Sequence, residues 1–99
     1  MSRNIERVEM RSITSPGFAQ QVDKAKYDAM KDALLNAVPK GKPGLTVAEI
    51  KEGVLPMLPP ALFPGGAKAG WWLKGVQLDL EARGILAREN GKPLRLHRL

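Results

Sequence analysis

Apolar positions in this chain change their period along its length. In RVEMRSI, residues 7–13, they alternate: Val8, Met10 and Ser12 fall on one side and Arg7, Glu9 and Arg11 on the other. Alternation predicts a half-buried strand. TSPG at 14–17 breaks it with turn chemistry, and Phe18 and Val22 follow as isolated apolar anchors. From residue 23 the period lengthens. Tyr27, Met30, Leu34 and Val38 recur at helical spacing behind Asp23, a good N-cap, until Pro39 and the KGKPG loop end the run. Thr46 and Glu49 form a capping box for a second helix, with Val47, Ile50, Val54 and Leu55 as its apolar face and Pro56 as its stop. Residues 56–64 hold Pro56, Pro59, Pro60 and Pro64, so they read as a stiff loop with one helical turn at 60–63; Met57, Leu58, Leu62 and Phe63 favour burial. A third helix runs from about Ala67 to Arg83 with Gly84 as its C′ residue. ILARE and PLRLHRL follow as two strands around Asn90-Gly91. A two-residue type I′ turn there sets Glu89 opposite Lys92, Ala87 opposite Leu94 and Ile85 opposite Leu96. Leu86, Arg88, Arg95 and His97 then share the other face.

Helix, capped helix, helix and then a hairpin directly after LEARGIL resemble the winged-helix (winged helix-turn-helix) superfamily. GLTVAEI is similar to the start of its second helix, and LDLEARGILARENGKPLRLHRL to its third helix, glycine stop and wing. More narrowly, LFPGGAKAGWWLKGVQLDLEARGILARE and KPLRLHRL resemble a small family of bacterial proteins of unknown function. The fold class expected is α+β: a small winged-helix-like domain over residues 23–99, three helices then a C-terminal β-hairpin, with an extra N-terminal strand or arm at 1–22. The superfamily implies duplex DNA held with the third helix in the major groove and the wing beside it. The proline-rich segment between the second and third helices is longer than the three- or four-residue turn of a compact helix-turn-helix.

The third helix can be read by angle, at about 100° per residue. Ala69, Trp72, Leu73, Val76 and Leu80 fall in one arc, the core stripe. Ala67, Trp71, Leu78 and Ala82, with Gly75 at the margin, fall in a second arc opposite. Lys74, Gln77 and Glu81 lie in one gap between the arcs, and Lys68, Asp79 and Arg83 in the other. The resemblance places Trp71, Lys74, Gly75 and Leu78 toward the groove. Only Lys74 among them suits a base edge or a phosphate. The second arc therefore predicts a contact surface of Trp71, Leu78 and Ala82, covered by the N-terminal arm, a second copy of the chain or another protein. A 22-residue arm with few large apolar groups offers limited cover, which favours a second copy or a partner.

Charge adds a second reading. The formal net charge is +6. Residues 23–38 balance three lysines against three aspartates, whereas at 83–99 five cations stand against Glu89 alone, placing +4 of the +6 there. Such a basic region points to an anionic partner such as nucleic acid. Lys68, Lys74, Arg88, Lys92 and Arg95 would carry it, mainly by phosphate contacts and as part of a transcriptional regulator; Lys40 and Lys42 add charge in a loop of unassigned position. The alternative is a protein-interaction or dimerisation module built on Trp71, Leu78 and Ala82, without DNA reading.

The remaining chemistry is sparse. There are no cysteines, hence no disulfide, thiolate zinc site or cysteine nucleophile. No stretch approaches eighteen apolar residues, and MSRNIERVEMRSI lacks the apolar core of a signal peptide, so a cytoplasmic protein is expected. PGGAKAGWW matches neither a dinucleotide fingerprint nor a P-loop and reads as a helix start, with Gly70 permitting close packing. His97 is the only histidine, and Ser2, Ser12 and Ser15 sit in no nucleophile context. No enzyme, metal, cofactor or small-molecule ligand is expected.

Overall fold

The computed structural model describes residues 6–99, so the first five residues of the 1–22 arm and of the leader reading lie outside the described residues. Three α-helices and two antiparallel sheets make an α+β fold. β1 (Arg7–Arg11) pairs with β2 (Ala19–Asp23), Arg7 opposite Asp23 and Arg11 opposite Ala19. The N-terminal segment is thus a hairpin rather than a lone strand. β2 escaped prediction because Gln20 and Gln21 leave Val22 as its one buried apolar residue. Phe18, expected as an anchor, is exposed.

α1 (Lys24–Ala37) starts where Asp23 accepts a 2.9 Å hydrogen bond from the Ala25 amide. α2 (Val47–Val54) carries the predicted capping box: the Glu49 amide donates to Thr46 Oγ1 at 3.2 Å, and the Thr46 amide to Glu49 Oε1 at 2.9 Å. Pro56 then tightens the chain into a 3-10 turn over Leu55–Met57. Leu55 and Met57, expected inside, are exposed there, because Leu55 stands a full 100° step round from Val54. Leu58 and Phe63 are buried as expected, and Leu62 is partly buried. α3 (Ala69–Ala82) ends with Gly84 at φ +75°, the predicted C′ geometry. All five residues of its core stripe are buried, packed with Met30 and Leu34 of α1 and Ile50 and Val54 of α2.

The second sheet has the order β3-β5-β4, with β3 (Leu45–Thr46), β4 (Leu86–Glu89) and β5 (Arg95–Arg98). Its hairpin register corrects the sequence expectation. Leu86 faces Arg98, Ala87 faces His97, Arg88 faces Leu96 and Glu89 faces Arg95. The loop therefore spans 90–94, and only Gly91 in it has positive φ, so no type I′ turn forms. Burial decides this. The observed register puts Leu86 and Leu96, both almost inaccessible, on one face toward the core; the two-residue loop would have sent them to opposite faces. β3 helps to hold it. A Cβ on Gly44 would lie 1.9 Å from the Leu96 carbonyl oxygen, so only glycine lets this strand approach β5. The 40–42 loop lies beside the end of β5, with the Gly41 amide donating to the Arg98 carbonyl at 3.0 Å.

The N-terminal hairpin lies along α3. Met10 fills the dent left by Gly75, where a Cβ would meet the methionine Cε at 2.8 Å. The Arg11 amide donates to Asp79 at 2.8 Å and the Ile13 amide to the Leu78 carbonyl at 3.2 Å. The arm thus covers part of the second stripe without a second copy of the chain. Main-chain hydrogen bonds and one methionine do what its few apolar groups alone do not. No helix among the described residues is long and apolar enough to cross a membrane.

Candidate functional site

The two halves of α3 have different surroundings. In the C-terminal half, Asp79, Gln77 and Glu81 fall in the polar gaps of the angular reading, yet all three are buried. Asp79, at 0% exposure, accepts from the Arg11 amide, the Tyr27 hydroxyl and Arg83 Nε, the last at 2.9 and 3.0 Å. Arg83 also donates to the Glu9 carbonyl at 2.9 Å, tying α3 to β1 a second time. Burial, and then the bond to Asp79, push the Tyr27 hydroxyl well above its ordinary pKa; the same carboxylate raises that of Arg83. Glu81 accepts from Arg88 Nε, from Arg88 Nη2 at 3.0 Å and from Gln77 at 3.2 Å. Among the described residues no buried side-chain nitrogen or oxygen lacks a partner, so this network fastens the fold and leaves no polar group inside it for a ligand.

The five expected nucleic-acid contacts do not form one surface. Arg88 and Arg95 lie on opposite faces of the hairpin, a consequence of the three-residue change in register. Arg88 is bound to Glu81, which raises its pKa. Arg95 donates to the Gly44 carbonyl at 3.1 Å and pairs with Glu49 at 3.7 Å. Lys92 stands exposed in the hairpin loop. His97 also moved with the register: its Nδ1 lies 2.7 Å from Glu89 Oε2, a carboxylate that the expected pairing kept away. Glu89 in turn accepts from the Gly44 amide at 2.8 Å, so this pair braces the sheet. No group of three metal-ligating side chains occurs among the described residues.

Lys68 and Lys74 are brought together with Trp71 at the N-terminal half of α3. Three shallow clefts meet there. One, of about 380 Å³, lies between the N-terminal hairpin and α3 and is lined by Arg11, Phe18, Gly70, Trp71, Lys74 and Leu78 among others. A second, of about 490 Å³, shares Gly70, Lys74 and Leu78 and adds Lys51 of α2 and Arg88. The third is formed by Lys26, Lys68, Trp71 and Trp72. No aspartate or glutamate lines any of the three. The Lys51 ammonium reaches over Gly70: a Cβ there would sit 3.9 Å from it. No side chain caps α3, so the positive end of its dipole adds to this field.

Trp71 stands at the centre, 52% exposed, with Phe18 at 50% lining the same cleft. Trp71 is braced edge-to-face by Trp72, ring centroids 5.1 Å apart, and buried Trp72 is held in turn by Phe63 at 6.4 Å. Leu78 is half-buried beside the hairpin, and Ala82, though exposed, lines a separate depression with Glu9, Arg11 and Ile13. The expected contact stripe of Trp71, Leu78 and Ala82 is therefore interrupted by β1. Sequence reasoning missed Lys26 and Lys51. Both come from other helices, and only the packing of α1 and α2 against α3 brings Lys26 to Trp71 and Lys51 to Gly70 and Lys74.

Neither curated proteins nor solved structures offer a match to the chain. The chain belongs to a family of unknown function (DUF6958), whose model matches residues 7–96.

Proposed function

We propose that this protein binds nucleic acid through phosphate contacts on the N-terminal half of α3, in a winged-helix-like frame. One observation carries the reading: Lys26, Lys51, Lys68 and Lys74 converge on three joined clefts with no carboxylate among their lining residues. An acid-free group of lysines attracts a polyanion and stays available to it, because no internal partner competes. The element order supports the frame: helix, short strand, two helices and a hairpin, with β5 between β3 and β4. Base-sequence reading is not part of the proposal. Among the groove-facing positions only Lys74 carries a charged or flexible polar side chain, and Gln77 is buried against Glu81.

The apolar centre of the face favours one other reading, an acidic protein segment that places an apolar side chain against Trp71. Labelled oligonucleotides titrated at two salt concentrations separate the two. Nucleic-acid binding predicts an affinity that falls as a power of salt, with a slope of about −0.7 to −0.9 per phosphate contact, and a weaker dependence in Lys68→Glu/Lys74→Glu. No binding at low salt to either single or double strands would leave the acidic-protein reading in its place.

A further inference from the structure

From the setting of Trp71 we infer that the preferred ligand is a single-stranded or unpaired stretch of nucleic acid, with a base stacked on the exposed face of that indole; the inference rests on the phosphate-binding reading above. A duplex keeps its bases stacked on each other and offers a protein their edges. This face has little to read edges with. Of the positions that would enter a groove, Gly75 is filled by Met10 and the backbone of Leu78 is bonded to Ile13, so the N-terminal hairpin already occupies half of that side of α3. What remains open is an aromatic plane.

An unpaired base needs such a plane, and cations nearby for the phosphates on either side of it. Trp71 offers its ring between Lys68 on one side and Lys74 on the other, each three residues from it in the chain, with Lys26 lining the cleft beside it. The ring is held in place before any ligand arrives, because Trp72 packs against it in a T-shaped pair at 82° and is itself buried against Phe63. Little side-chain freedom is therefore lost on stacking. Phe18, across the cleft and half exposed, offers a second aromatic surface for a neighbouring base. Charge complementarity selects nucleic acid over an uncharged apolar occupant, since every charged residue lining these clefts is a cation.

The test compares a short oligothymidine with a hairpin duplex of equal length, titrated into the full chain by anisotropy and by tryptophan fluorescence. The single strand should bind more tightly and quench emission from Trp71, Trp72 being buried. Trp71→Ala should weaken single-strand binding roughly tenfold while duplex binding stays put, and Trp71→Phe should recover most of the loss. In Trp71→Phe the remaining emission, from Trp72, should no longer respond to the oligonucleotide. Unchanged single-strand affinity in Trp71→Ala, or equal affinity of the parent for both forms without quenching, overturns the stacking inference and leaves phosphate binding standing. Absence of binding to either form at low salt removes the phosphate reading and this one with it.

Discussion

The two halves of α3 carry charge for opposite ends. Toward the C-terminus, Asp79 and Glu81 are buried and matched by Arg83, Arg88, Tyr27 and the backbone of β1. Toward the N-terminus, Lys68 and Lys74 flank an exposed indole with no acid lining the clefts around them. Burial separates the two. An ionised group inside the fold must be paired or it costs several kcal/mol, whereas an exposed lysine keeps its hydration and needs no partner. The charges that looked most available in the sequence, Arg88 and Arg95, are committed to carboxylates, and the lysines carry the open field.

Removing the clamp gives the largest expected effect. Asp79→Ala leaves the Tyr27 hydroxyl and the Arg11 amide without their acceptor and should cost about 3–5 kcal/mol, as breaking buried charge pairs does. Lys74→Glu, on the open half, should move stability by no more than about 0.5 kcal/mol. Urea denaturation of the two variants side by side checks the contrast; equal midpoints would erase the distinction between the halves.

A smaller effect appears at high pH. The Tyr27 pKa is raised by burial first and by Asp79 second. The folded protein thus favours the neutral phenol. The associated stability is complete below the ordinary tyrosine value of 10.0 and is lost as pH rises toward the higher folded value. Tyr27 is the only tyrosine in the chain, so tyrosinate absorbance reports it alone. The folded protein should titrate at higher pH than the denatured one, and coincident curves would show that the hydroxyl is not clamped.

Much of the fold was legible because its signals are local. Asp23, the Thr46–Glu49 box, Gly84 and the 100° stripe through Trp72 each act within a few residues, and each appears as read. The hairpin register was not legible. It depends on burying Leu86 and Leu96 together and on the close approach of Gly44 to β5, which no dipeptide encodes. The same holds for the site. The outward direction of Trp71 follows from helix geometry alone, and Trp71 is exposed. Its cover could not be read, because β1 docks on α3 through backbone amides that every sequence has. Lys26 and Lys51 were equally invisible, since only tertiary packing carries them to α3.

In the proposed function the partner sits on the N-terminal half of α3. Amide chemical shifts of isotope-labelled protein, followed while oligothymidine is added at low salt, test it most directly. Shifts should cluster at Lys26, Lys51 and residues 68–74, with Phe18, while the amides of Asp79 to Ala87 stay in place. Shifts centred instead on the hairpin around Arg88, Lys92 and Arg95, with residues 68–74 unmoved, would contradict it.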